Sequence, residues 1–326
     1  MNNQTEISRP QTPPHQPMLA HTCLTEIEVI IGIGFSQSKL INVTAVPSSK
    51  SFNNRIYFLH LEHISGTQED VVLKVNRRYI GSRKVQNEIG CLQMRYATCN
   101  TAYTVSQASI AASDTGNERS KFVGWILTSR VFGDPVPISE LDDDSQRDLG
   151  RQMAGIVTAW CRKIPSQPRC GSIKPRLGYE NKGTNEGNHV GPIVQGLVRE
   201  GFEPSQSLTT LNMYYKVRLV KEMRELDTTD TYSSNRHLVP VLQKFLNHQV
   251  PQLKLAELLE DHSGSFVFTH YDLSPRNILV SGQPPRITGI VDFEFAGFFL
   301  PMEEFLNDYV GNGGDWLKSL YMAYLE

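Results

Sequence analysis

One histidine, two aspartates and an asparagine lie close enough in this chain to share one task. His270, Asp272 and Asn277 stand in the stretch FVFTHYDLSPRNILV, residues 266–280, at the spacing H-x-D-x-x-x-x-N. A further acid, Asp292, comes after the apolar pair Ile290 and Val291 and precedes Phe293. Apolar residues flank the polar centre of the first stretch, so it reads as strand, loop, strand. That architecture holds an acid, an amide and a second acid at one end of a rigid pair of strands. Phosphoryl transfer asks for such a set: an acid to orient or deprotonate the attacking hydroxyl, and oxygen ligands to hold magnesium on the phosphates. Asp272 fits the first task. Asn277 and Asp292 fit the second, because magnesium prefers hard oxygen donors.

The wording HYDLSPRNILV followed by GIVDFEFAG resembles the aminoglycoside phosphotransferase (APH) family, which is itself similar to choline kinases and, more distantly, to protein kinases. It is closest to the fungal APH-like branch. The resemblance spans residues 26–326, with its specific signals between 266 and 301. It implies an α+β, two-lobed protein-kinase-like fold, with an antiparallel sheet in the N-lobe and a mainly helical C-lobe. It also implies ATP and Mg2+ as cofactors, the hydroxyl of a small molecule as acceptor, and a bracing role for His270 beside Asp272.

The elements that must position these groups lie upstream. Residues 27–31, 39–43, 54–61 and 71–75 are short apolar, β-branched runs broken by turns, and the pattern predicts strands. Lys74 sits inside the last run between Leu73 and Val75, where an unpaired charge is costly. Glu88 lies further on, in a segment with Val85, Ile89 and Leu92 at helical spacing. A strand lysine on the phosphates, aligned by a helix glutamate, is the kinase arrangement. The phosphate-covering loop is expected at residues 46–56, where no glycine occurs and the backbone around Ser49 and Ser51 would serve. Gly32 and Gly34 read as a strand-end turn, with the phosphate loop as the lesser reading. Residues 121–133 read as a strand entering a turn at Gly133, with the backbone near Ser129 and Val131 placed to meet adenine.

Asp142, Asp143 and Asp144 precede a stripe of Leu149, Met153, Ile156, Val157 and Trp160, which marks a helix start. Residues 165–205 are dense in Gly, Pro, Asn and Ser and read as a long loop, a candidate lid over the acceptor. Beyond it lie two helical stretches, 209–224 and 238–259, the second broken at Pro251. No A-P-E element occurs after Asp292, which favours a small-molecule acceptor over a protein. Glu294, Glu303 and Glu304 read either as acids at the mouth of the site or as surface acids.

Composition narrows the setting. The chain has 326 residues and a formal net charge of −2, so no global field draws nucleic acid. No apolar run reaches the length of a membrane span, and the N-terminus lacks a signal-peptide core. Five cysteines without a C-x-x-C pair suit a reduced, cytoplasmic protein. The expected organisation is a disordered tail at 1–22, an N-lobe at 23–131 and a C-lobe at 132–326. The alternative function is a nucleotide-binding pseudokinase or scaffold, favoured by the glycine-free loop and by a C-terminus that stops mid-pattern. A protein kinase is disfavoured by the missing activation segment.

Overall fold

The computed structural model describes residues 22, 24–47, 54–76, 81–98, 110–114, 124–174, 193–194, 197, 208–253, 266–306, 322–323 and 325. The expected tail at 1–22 apart from Thr22, the phosphate loop around Ser49 and Ser51, and most of the expected lid lie outside these residues. The chain divides into two units, Thr22–Leu208 with Gly264–Glu326, and Met1–His21 with Thr209–Ser263.

In the first unit, β1 (Ser38–Ala45), β2 (Asn54–His63), β3 (Gln68–Asn76), β4 (Ile110–Asp114) and β5 (Trp125–Ser129) form an antiparallel sheet in the order β1-β2-β3-β5-β4. Strand alternation decides which side chains meet. Tyr57, Leu59 and Leu61 of β2, Val71, Leu73 and Val75 of β3, and Trp125 and Leu127 of β5 share one core. Helix α1 (Leu24–Gly34) closes that core with Ile27, Ile30 and Ile31. Burying each such side chain contributes roughly 1.5–3 kcal/mol. Lys74 is out of phase with Val71, Leu73 and Val75, so it points to the opposite face, beside its cross-strand neighbour Ile126. Ile126 packs with Val85 and Ile89 of α2 (Gly81–Thr98). Helix α2 therefore lies on the lysine side of the sheet.

Helix α1 corrects the reading of residues 27–31 as a strand. Its β-branched residues favour a strand locally, but burial of Ile27, Ile30 and Ile31 at i, i+3 and i+4 overrides that preference. Gly32 and Gly34 lie within this helix, so they form neither a strand-end turn nor a phosphate loop.

Downstream, β10 (Ile278–Ser281) and β11 (Arg286–Ile290) pair as an antiparallel hairpin. Asp134–Pro135, read from sequence as a turn, is instead a short strand, β6, on the open side of β10. Proline is tolerated there because an edge strand does not need its N–H. A four-stranded sheet has the order β8-β7-β12-β9, from Ile193–Val194, Gly171–Lys174, Gly297–Phe299 and Val267–Thr269. Residues 171–174 are thus a paired strand rather than part of a loop; alternation gave no signal because Gly171, Ser172 and Ile173 are all buried. Helix α3 (Asp143–Lys163) begins as expected, with Asp142 accepting the Ser145 N–H at 2.7 Å. Its Trp160 stands 5.7 Å from the Phe268 ring and 6.2 Å from the Phe293 ring, behind the H-x-D loop.

In the second unit, α4 (Leu211–Thr228) is capped by Thr210 and packs with α5 (Val239–His248) through a 3-10 helix at Asp230–Leu238. Pro251 lies in a further 3-10 turn, Val250–Gln252, where the break was expected; residues 254–259 of the expected helix lie outside the described residues. No helix among the described residues is long and apolar enough to cross a membrane.

Gly133 is the tightest point beside the hairpin. Its φ is +135°, and an added Cβ would collide with Thr288 Oγ1 and lie 2.9 Å from the Val280 carbonyl oxygen. Gly133→Ala is expected to destabilise the protein by about 2–4 kcal/mol in urea unfolding. A loss under about 0.5 kcal/mol would contradict this packing.

Candidate active site

Lys74 is the point where the strands and helices of the first unit converge. Its Nζ lies 2.7 Å from Glu88 Oε2, 2.6 Å from Asp292 Oδ1 and 3.1 Å from Glu294 Oε2. Its side chain is only 12% exposed, so solvent screens these pairs weakly. Burial alone would lower its pKa, but the charges of Asp292, Glu88 and Glu294 outweigh burial and hold it well above the ordinary value. For Glu88, burial dominates and pushes the carboxyl up to about 7, with Lys74 opposing and Asp292 and Glu294 adding to the rise. Asp292 is also penalised by burial, yet Lys74 and Lys84 bring it below the ordinary aspartate value.

Glu294 is buried and holds the far side of this cluster. Lys84, fully buried on α2, forms a close ion pair with it, and its Nζ lies 5.3 Å from the Phe295 ring centroid. Asn54 Nδ2 donates to Glu294 Oε2 at 3.0 Å.

The H-x-D loop is built as tightly. His270 Nε2 donates to the Val291 carbonyl at 3.0 Å, and Nδ1 accepts the Asp272 N–H at 3.3 Å. That pair of bonds selects the neutral tautomer protonated at Nε2. The ring meets Phe293 edge-on, with centroids 4.5 Å apart. Asn277 Nδ2 donates to the Asp272 carbonyl at 2.9 Å, while the Val291 N–H donates to the Asn277 backbone carbonyl at 2.9 Å. Arg276 Nη2 stands 2.8 Å from Asp272 Oδ2. One network thus joins the loop to the strand end that carries Asp292.

Both loops contain a left-handed residue, Tyr271 at φ 67° and Asp292 at φ 68°. Aspartate enters this region readily; a bulky tyrosine does so only when its surroundings enforce it. Glu304 supplies that enforcement, accepting the His270 N–H at 2.6 Å and the Tyr271 N–H at 2.9 Å. The Tyr271 ring stacks on Phe299, with centroids 4.5 Å apart.

Lys74, Glu88, His270, Asp272, Asn277 and Asp292 are therefore tied together by the contacts just given. Ser129 ends β5, paired with Val71, and Val131 is buried just beyond it. Glu294, Glu303 and Glu304 are buried, which corrects both the surface reading and the site-mouth reading. Lys84, Asn87 and Arg276 escaped the sequence reading. The first two had a signal: Lys84, Asn87, Glu88 and Cys91 form an i, i+3, i+4, i+7 stripe on α2. All oxygen ligands in the cluster are hard donors. Glu88, Asp292 and Glu294 place carboxylate oxygens within 4.8 Å of one another around the Lys74 ammonium, and the half-buried Asp292 among them is a hard donor of the kind magnesium prefers.

Residues 196–324 match the APH family model, described as a phosphotransferase enzyme family. No curated protein matches the chain in sequence. Solved APH structures share its fold. The GDP and kanamycin complex of APH(2")-IIia aligns at a TM-score of 0.55 with 15% identity, over 92% of this chain and 82% of that one. The gentamicin complex of APH(2")-IIa gives 0.53 at 10% identity, over 94% and 82%. ADP-bound aminoglycoside phosphotransferase APH(2'')-Ib gives 0.50 at 12%, over 93% and 83%. The fold is the two-lobed, α+β kinase-like fold of these enzymes.

Glu304 yields a pH prediction. Burial raises its carboxyl from 4.5 to about 8, against the pull of the two backbone N–H bonds and with a smaller push from Asp272. The folded state then binds this proton more tightly than the unfolded chain does. The stability it gives is full below pH 4.5 and is lost as pH rises toward 8. The unfolding midpoint of the parent should fall more steeply between about pH 5 and pH 8 than that of Glu304→Gln. Parallel profiles would contradict the shift.

Proposed function

We propose that this protein is an ATP- and Mg2+-dependent phosphotransferase that moves the γ-phosphoryl group to the hydroxyl of a small molecule. The observation that carries the reading is the contact of the strand lysine Lys74 with both Glu88 and Asp292, at 2.7 and 2.6 Å. A strand lysine paired with a helix acid, with the metal-binding acid of the downstream loop beside it, is the arrangement that phosphoryl transfer uses around nucleotide phosphates.

In this reading Asp272 orients the acceptor hydroxyl and takes its proton as the new phosphoester bond forms. Arg276 and the Asn277 amide hold Asp272 in place, and His270 braces the loop through Val291. Lys74 binds nucleotide phosphate oxygens, and Glu88 aims it. The Asn277 amide nitrogen is committed to the Asp272 carbonyl, so its oxygen is the atom left for a metal, together with the Asp292 carboxylate. Magnesium, when bound, neutralises phosphate charge. The backbone at Ser129 and Val131 receives adenine, and the backbone at Ser49 and Ser51 covers the phosphates. The lobes meet near residues 131–132.

The short segment after Asp292 supports a small acceptor. Only residues 293–296 separate Asp292 from β12, and the helix Glu303–Leu306 begins soon after, so no long activation segment intervenes to dock a protein. Cytoplasm is the compartment that supplies ATP, and the buried free thiol of Cys91 suits it.

The test is ATP consumption by the purified chain with Mg2+ across amino alcohols, sugars, aminoglycosides and other hydroxylated metabolites. Asp272→Ala should lower turnover at least ~1000-fold while Mg-ATP affinity stays within about threefold. Undiminished turnover in that variant would reject the role of Asp272. Nucleotide binding without consumption on every acceptor would favour the scaffold reading.

A further inference from the structure

Helix α2 carries Glu88, and in a kinase-like site the placement of such a helix decides whether the lysine–glutamate pair forms. Beside Glu88 stands Asn87, which is fully buried. Its Nδ2 donates to the carbonyls of Glu294 and Ala296, both at 2.9 Å. Its Oδ1 accepts the Ile173 N–H at 2.5 Å and faces the Cys91 thiol at 3.9 Å. An asparagine amide has two N–H donors and one carbonyl with two lone pairs, so every polar function of Asn87 is engaged.

The partners belong to separate parts of the chain. Glu294 and Ala296 lie just past Asp292, and Ile173 lies on β7. The Cys91 Sγ reaches the same Ala296 carbonyl at 3.6 Å, and Lys84 pairs with the Glu294 side chain. Helix α2 therefore grips the segment after Asp292 through Lys84, Asn87 and Cys91 on one stripe, and Asn87 also binds β7 through the Ile173 N–H. Backbone carbonyls and an N–H are invariant partners, so this attachment does not depend on the identity of residues 173, 294 and 296.

We infer that Asn87 is a positioning residue: it locks α2 to the Asp292 segment and to β7, so that the Lys74–Glu88 pair is assembled before nucleotide arrives. The inference rests on the phosphotransferase reading for its consequence, though the lock itself is a feature of the fold. Without the lock, α2 divides its time between a seated and a displaced position. Apparent nucleotide affinity then falls by the fraction of time it is seated. Asn87 touches neither nucleotide nor acceptor in this scheme and acts through Glu88.

The experiment combines hydrogen exchange with Mg-ATP titration of the full chain, in the parent, Asn87→Ala, Glu88→Gln and the double variant. Asn87→Ala should speed exchange across residues 81–94 while β2 and β3 keep parental rates. Its Mg-ATP Kd should rise about tenfold in the parent background and less than about twofold in the Glu88→Gln background. Equal losses in both backgrounds, or unchanged exchange in α2, would overturn the inference. Asn87→Asp keeps the shape and the acceptor for Ile173 but loses both donors, so it replaces Asn87→Ala if that variant does not fold, with the same outcomes expected. If the parent binds no Mg-ATP, the phosphotransferase reading fails separately; the exchange comparison then decides the lock, accelerated α2 exchange supporting it and unchanged exchange overturning it.

Discussion

The site depends on keeping an ammonium ion out of water. Lys74 is buried at the junction of β3, α2 and the segment after Asp292, and three carboxylates share its charge. An isolated buried charge would neutralise itself or unfold its surroundings. Here the acids outweigh burial, and Lys74 stays charged at any pH the protein meets. The cluster contains two ammonium groups, Lys74 and Lys84, and three carboxylates, Glu88, Asp292 and Glu294, which leaves an excess of one negative charge. Burial, with a smaller push from Asp292 and Glu294, raises the Glu88 carboxyl to about 7. A bound divalent cation would offset that excess and so let anionic nucleotide phosphates approach these carboxylates.

Around this charge the fold supplies stiffness. Strand alternation turns Lys74 toward α2 while its neighbours fill the α1 core, so the lysine cannot swing without disrupting the sheet. Two backbone residues in the left-handed region, Tyr271 and Asp292, sit just past the ends of β9 and β11. The tyrosine among them is held by a buried carboxylate on its N–H and by a ring stacked beneath it. Rigid support of this kind is what a site needs to present its groups before the reactants arrive.

Much of the site could be read from the sequence because its key groups are local. His270, Asp272 and Asn277 lie within one loop, so their spacing survives without any knowledge of the fold. Lys74 stood out as a charge in an apolar strand. The features that stayed hidden depend on distant or backbone partners. Glu294 looked like a surface acid because its partner Asn54 lies 240 residues away. Glu304 binds backbone N–H groups, which no sequence distinguishes. Helix α1 misled because isoleucine and valine favour strands locally, although the spacing of its buried isoleucines was helical. Strand β7 lay inside a stretch whose composition reads as loop, and its pairing with β12 and β8 makes it a strand.

The most direct test of the central claim is the Mg-ATP affinity of Lys74→Met, measured by titration calorimetry on protein whose thermal transition shows it to be folded. If Lys74 is the cation around which a nucleotide site is organised, the variant should bind Mg-ATP at least about tenfold more weakly than the parent. A folded Lys74→Met protein that binds Mg-ATP as tightly as the parent would contradict the account.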